Sequence, residues 1–365
     1  MNEEQHQPEK LPVFSPVQRL WQSAVTFFLY LKNTLFSDLK SFLKWLVIAL
    51  VCGIVIGGVG TAFHMALGWA EGFRAEQSWL IWLLPLGGLF IAFLYRFSGM
   101  EADPGTDMVL FSVRSEAQVS WKTAPLIFAA TVVTHLLGGS AGREGAALQL
   151  GGSLGQTLGR LLRLDLKDMH IITLCGMSAG FAALFGTPMA SAIFAMEVVS
   201  VGVMYYAALV PCVLAALVAS QLSFACGSHA TTFALLESAV PQITPLVLAQ
   251  VMGLALLCAL VSILECLVFH KVSLYYRKYL PNSYLRAMMG GLLVALCMFL
   301  LQTSDYLGAG THVIQRAIDG EARPEAFFLK MLLTALTLGA GFKGGEIVPS
   351  FFIGATFGCT VSALL

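Results

Sequence analysis

The tetrapeptide Gly142-Arg143-Glu144-Gly145 sets an acid, a base and two glycines between the apolar run 123–141 and the small-residue stretch 146–155. A carboxylate inside an otherwise uncharged, membrane-depth segment is expensive to keep, and such residues mark ion or proton paths. Glycines let the main chain bend and present its N–H groups, and N–H groups at the start of a helix attract anions. The chemistry that fits is an anion path gated by an acid. Arg143 has readings besides a direct part in attracting the anion: it neutralises Glu144, or it extends along apolar surface to the membrane interface.

Two more glycine-led turns carry polar residues, Gly105-Thr106-Asp107-Met108-Val109 and Gly344-Gly345-Glu346-Ile347-Val348-Pro349. If Glu144 and Glu346 lie close together, one of the pair is easily protonated and donates to an anion. Asp107 fits an anion path only if it faces solvent, caps the helix that follows, or carries a proton. Met108 either packs or lines the pore. His64, His135 and His270 stand alone on apolar stretches and read as hydrogen-bonded packing residues. Glu197 and Glu265 make structural hydrogen bonds or face water. The eight cysteines lack metal-ligand spacing and read as buried, inert thiols. Phosphate-binding and dinucleotide fingerprints are absent, and so is a basic patch interleaved with aromatics. No enzyme activity, catalytic residue, cofactor, metal or nucleic-acid partner is expected.

The elements that must position these residues are membrane helices. With 57% hydrophobic and 12% charged residues and a mean hydropathy of +0.78, the chain is far too apolar for a soluble domain. Stretches 45–70, 123–142, 198–236, 238–264 and 287–304 contain no Asp, Glu, Lys or Arg. Their lengths point to about ten spans of a multi-pass protein of the cell (inner) membrane, with the lipid bilayer as solvent. The polar, acidic start argues against a cleaved signal peptide. Lys10, Arg19, Lys32, Lys40 and Lys44, and again Lys271, Arg277, Lys278 and Arg286, place their segments in the cytoplasm.

Gly105-Thr106 is echoed at Gly310-Thr311 and Gly151-Gly152 at Gly354-Ala355, in the same order and at nearly the same offset. The echoes predict duplicated halves, with broken helices supplying a site near the midplane. Residues 1–43 read as a cytoplasmic N-terminal segment with an amphipathic helix over 17–43, residues 44–235 as the first membrane repeat and 236–365 as the second. Segments 108–113 and 146–158 read as half-helices, tolerated at membrane depth only when buried in protein or lining a polar cavity. Gly53-x-x-x-Gly57 reads as helix packing.

These motifs resemble those of the CLC chloride channels and transporters. Gly142-Arg143-Glu144-Gly145 with Gln149, the turn at Gly105, and Gly344-Gly345-Glu346-Ile347-Val348-Pro349 with Gly354 occur in that family's order. The resemblance, running from about residue 44 to the end, implies an all-α polytopic membrane protein with inverted repeats and re-entrant half-helices. It makes Glu144 the gating and proton-carrying glutamate. It places the anion against Gly105, Thr106, Asp107, Met108, Gly142, Arg143, Gly145, Gly345, Glu346, Ile347 and Pro349, with the amides of Glu346 and Ile347 as central ligands. Chloride-transporting members have Gly-Ser-Gly-Ile-Pro where this chain has Gly105-Thr106-Asp107-Met108-Val109, and those that are antiporters have a second proton glutamate where it has Val198. Both departures, with Glu346, are similar to the fluoride-exporting branch. They imply fluoride/proton antiport, with a chloride channel or chloride/proton exchanger as the alternative and a non-transporting scaffold as the rival. The repeat logic also implies that the second half is incomplete at Leu365. Pairing into a homodimer through the apolar runs 198–223 and 246–264 is expected from the same resemblance.

Overall fold

The computed structural model describes residues 16–362 other than 116, 201, 229–230 and 236–241. The first fifteen residues of the N-terminal segment therefore lie outside the description, as do the side chains of Trp21 and Phe27 and residue 236 at the expected boundary between halves. Contacts divide the chain into residues 1–48 and 49–365. In the first unit the described residues are helical, and Phe28, Phe36 and Phe42 are exposed.

Thirteen α-helices occur among the described residues. They are α1 (Pro16–Glu76), α2 (Leu84–Phe97), α3 (Thr106–Arg114), α4 (Thr123–Leu136), α5 (Glu144–Leu161), α6 (Leu166–Phe185), α7 (Pro188–Glu197), α8 (Leu209–Ala225), α9 (Pro245–Tyr279), α10 (Ser283–Leu301), α11 (Thr311–Ile318), α12 (Ala326–Gly339) and α13 (Ile347–Ser362). Local chemistry sets several starts. The Asp165 side chain accepts from the Asp168 amide ahead of α6, Thr244 accepts from the Val247 amide with Pro245 opening α9, and Asn282 accepts from the Tyr284 and Leu285 amides ahead of α10. Each satisfies amides that a helix start leaves without partners.

Among the described residues six helical segments are long and apolar enough to cross a membrane, against the ten or so expected. The remainder of the apolar sequence goes into shorter helices. The 14-residue α4 and α12 and the 16-residue α13 rise only about 21–24 Å, short of a hydrocarbon core of about 30 Å.

The duplication appears in the element order. Helices α3, α4 and α5 start at 106, 123 and 144, and α11, α12 and α13 at 311, 326 and 347, offsets of 205, 203 and 203. Gly105 and Gly310, preceding α3 and α11, share a positive φ of 75° and 73° that glycine adopts without strain.

One core cluster joins α2, α4, α10, α11, α12 and α13 through residues such as Leu84, Ala130, Val294, Val313, Leu333 and Phe352. The other joins α1, α4, α5 and α6 through Phe63, Leu67, Ile127, Leu150 and Leu184. Helices α5 and α6 approach closely on small residues: a side chain at Gly155 would lie 2.6 Å from the Ile172 carbonyl oxygen. Gly53 and Gly57 of α1 abut α8 in the same way, at Ala215 and Ala219. In lipid, where burial supplies no drive between helices, such close packing is what holds them.

Candidate functional site

Three helix starts far apart in sequence meet at Gly145. A side chain there would stand 3.1 Å from Thr106 Oγ1, 3.2 Å from the Gly344 carbonyl oxygen and 3.4 Å from Gly345 Cα. Thr106 opens α3, Gly145 lies in the first turn of α5, and Gly344-Gly345 leads into α13. Two main-chain hydrogen bonds staple the loops: the Gly142 amide donates to the Gly345 oxygen at 2.7 Å, and the Gly345 amide to the Gly142 oxygen at 2.8 Å. The free amides and aligned peptide dipoles of three converging helix starts make a region of positive potential without any charged side chain.

Glu144 sits in that region with no exposure to solvent. Its carboxylate folds back over its own loop, and Oε1 accepts from the Arg143 main-chain amide at 3.0 Å. Oε2 is buried and has no hydrogen-bond partner. An unsatisfied buried acceptor costs on the order of 1–3 kcal/mol, more when charged, so this oxygen gains from any rearrangement that supplies a donor. Glycine at 142 and 345 is what lets the carboxylate lie there. A side chain on Gly142 would collide with Glu144 Oε2, and one on Gly345 would lie 2.5 Å from it.

Arg143 is buried; its guanidinium donates to Thr231 Oγ1 at 3.0 Å and lies over the Phe185 ring at 5.8 Å. Glu144 thus takes a main-chain donor from Arg143 and no side-chain one.

In the first motif Gln149 Nε2 donates to Thr106 Oγ1 at 2.9 Å, and the Thr106 hydroxyl turns towards the Gly145 carbonyl oxygen at 3.4 Å. Asp107 is exposed in the first turn of α3, where a negative charge complements the helix dipole; Gly105 holds the cap position. Met108 is half-buried. In the third motif Glu346 is exposed, Ile347 begins α13 and Pro349 is buried in its first turn. Glu346 lies within electrostatic range of both Asp107 and Glu144, so the sequence-distant acids share one neighbourhood.

Two lone acids of the apolar helices have hydrogen-bond partners. Glu197 accepts from the Gly202 amide at 3.0 Å, and Glu265 from Ser350 Oγ at 2.7 Å. His135 is a buried, hydrogen-bonded residue, as expected, and what the sequence does not give is its partners. Its Nδ1 lies 2.8 Å from Glu71 Oε1 and its Nε2 3.1 Å from the Gly142 oxygen, linking α1 to the Glu144 loop. Glu71 ends a long uncharged run and His135 precedes the glycine turn by a few residues, but no local pattern pairs them. Lys330 gives no signal in the sequence either: it is fully buried in α12 and donates to the Tyr306 and Gly308 carbonyl oxygens.

Residues 87–365 match the family model of the voltage-gated chloride channels. The chain belongs to the CLC family. A chloride/fluoride channel protein of Pseudomonas syringae pv. tomato is 35% identical over 332 residues, 88% of this chain and 72% of that protein. A CLC-type fluoride/proton antiporter of known crystal structure is 32% identical, with a TM-score of 0.84 over 88% of this chain and 82% of that one. An H⁺/Cl⁻ exchange transporter of Vibrio cholerae is 25% identical over 353 residues, 89% of this chain and 74% of that protein. The fold is therefore the CLC fold, and the chain is a multi-pass CLC anion-transport protein of the cell membrane.

Proposed function

We propose that this CLC protein exchanges fluoride for protons, with Glu144 as the gate and proton carrier. The observation that carries the reading is the buried, unpartnered Glu144 Oε2 at the convergence of the α3, α5 and α13 starts. Amides that attract this carboxylate attract an anion as well, so the two compete, and protonating Glu144 frees the place for the ion. The anion path runs along Gly105, Thr106, Asp107 and Met108, then Gly142, Arg143 and Gly145, then Gly345, Glu346, Ile347 and Pro349.

Fluoride is favoured over chloride by three features of the chain: Thr106-Asp107-Met108-Val109 in the first motif, Glu346 in the third, and Val198 after Glu197. The Thr106 hydroxyl is turned to the Gly145 oxygen, which leaves it a poor donor for a passing ion. Fluoride is small and strongly hydrated, so its site needs strong donors or protons near at hand. Glu346, within electrostatic range of Glu144, supplies a second protonatable group. The names of two relatives, a chloride/fluoride channel protein and a fluoride/proton antiporter, support the same choice.

The protein is further proposed to work as a homodimer, with residues 44–235 and 236–365 as its two repeats and residues 1–43 along the cytoplasmic face. The deciding experiment uses purified protein in liposomes loaded with fluoride or chloride, following the anion by electrode and protons by a pH dye. Fluoride should leave several-fold faster than chloride and carry protons the other way. Chloride efflux equal to fluoride would overturn the substrate, and fluoride efflux with no proton movement would overturn exchange and leave a channel.

A further inference from the structure

We propose that Glu71 and His135 are positioning residues that hold the Glu144 loop through a proton shared with the outer cavity. This rests on the reading of Glu144 as the gate.

His135 lies at the end of α4 with no exposure to solvent. Each ring nitrogen faces an oxygen acceptor: Nδ1 meets Glu71 Oε1 at 2.8 Å and Nε2 meets the Gly142 carbonyl oxygen at 3.1 Å. A neutral imidazole has one N–H and cannot donate to both. Both bonds are made only if the pair holds one proton beyond a carboxylate and a neutral histidine, either as carboxylate with imidazolium or as carboxylic acid with imidazole. A histidine that merely packs finds one donor and one acceptor. This one is flanked by two acceptors, and the second is the Gly142 oxygen that also accepts from the Gly345 amide at 2.8 Å.

The shared proton has a route to water. The Glu71 side chain is 33% exposed and lines a cavity of about 830 Å³ together with Arg74, Trp82, Phe299, Gln302 and His312. The cavity lies at the C-terminal end of α10, whose other end adjoins Arg277, Lys278 and Arg286. The positive-inside rule places those cations in the cytoplasm and hence the cavity outside.

Charges from every side bear on the pair. Arg74, His64 and Arg143 lie within electrostatic range of Glu71, as does Lys330 from α12, which is also within range of Glu144; His312 stands on the cavity wall. When the proton leaves to cavity water through Glu71, the pair is left with one negative charge, and Arg74 and Arg143 offset it. The neutral imidazole then gives up one of its two bonds. Losing the bond to Gly142 removes the side-chain tie that holds the Gly142 oxygen beside the Gly142–Gly345 staple, so outer pH sets how firmly the gate loop is held.

The test is the dependence of fluoride flux from liposomes on outer pH, between about 5.5 and 8, in the parent, Glu71→Gln, Glu71→Asp and His135→Gln. The parent should show a titrating step. Glu71→Gln and His135→Gln should flatten it or move its midpoint by about one unit or more, a tenfold change in proton concentration. Glu71→Asp, which keeps a carboxyl, should retain the step. The side chain introduced by His135→Gln still offers Gly142 an amide donor, so a purely structural histidine would show altered rates and an unaltered profile; that result overturns the proposal. Should His135→Gln fail to fold, Glu71→Gln, at a residue one-third exposed, decides alone. A parent that moves fluoride without protons would overturn the exchange reading, and its flux profile would still decide the pair.

Discussion

At the scale of single residues, the site is built from one carboxylate and the glycines that make room for it. If Glu144 competes with the anion and carries the proton, Glu144→Gln removes both actions, and proton movement driven by a fluoride gradient should fall to background while fluoride still flows. Equal coupling in mutant and parent would refute the gate. Gly345→Ala asks a different question. The new methyl would lie 2.5 Å from Glu144 Oε2, 2.7 Å from the Gly145 nitrogen and 2.9 Å from the Glu144 nitrogen. Two of those three atoms are main chain and cannot swing away, so the staple must shift, at a cost of about 1–3 kcal/mol. A lowered thermal midpoint together with lost fluoride flux is expected; an unchanged protein would mean the loops are looser than the geometry implies. For Glu346 the main-chain amide is the proposed ligand, so Glu346→Gln should keep fluoride flux but change the coupling ratio or the preference over chloride, read from paired fluoride and chloride efflux.

At the scale of elements, short helices are held by polar ties across their loops. Asp305 anchors α11: its Oδ2 pairs with Arg316 at 2.7 Å and its Oδ1 with His312 at 3.3 Å. Partial burial pushes the Asp305 carboxyl up, and the bonds to Arg316 and His312 outweigh that and leave it below its ordinary value. A carboxyl lowered by folding adds stability that is fully present above the unfolded value of about 3.9 and is lost as pH falls through the folded one. Asp305→Asn should therefore melt earlier than the parent at neutral pH, with the gap closing as the pH drops below about 4. Melting curves in detergent across that range would check it, and a gap that persists in acid would point to packing instead.

At the scale of the whole molecule, much of the apolar surface is uncovered. Leu256 on α9 is 70% exposed and Leu217 on α8 is 39% exposed, each within one of the runs proposed for dimer contact. Lipid covers such faces as well as a partner does, so packing alone would hold a pair together. Leu217→Trp and Leu256→Trp test the two faces separately. Dissociation caused by one of them, measured as mass in detergent or by single-molecule counting in bilayers, would locate the interface, whereas a parent that is monomeric throughout would refute the dimer.

Composition and the lengths of the uncharged stretches alone determined that the chain is a membrane protein of spanning helices, because so little charge over so many residues leaves no other solvent for them. The glycine-led motifs, their order and their echo about two hundred residues later were equally local, and they led to the CLC family and to Glu144. The number of spans was not legible, since an apolar run does not reveal whether its helix crosses or stops halfway. Nor was the partner of Arg143, which turned from the neighbouring Glu144 to Thr231, because side-chain reach depends on what the fold brings near. Tertiary structure alone decided that Gly142 pairs with Gly345 and that Glu71 meets His135, contacts between segments 203 and 64 residues apart. Each residue in such a contact looks ordinary in its own stretch of chain, and its chemistry exists only once packing has excluded water and left a specific atom facing it.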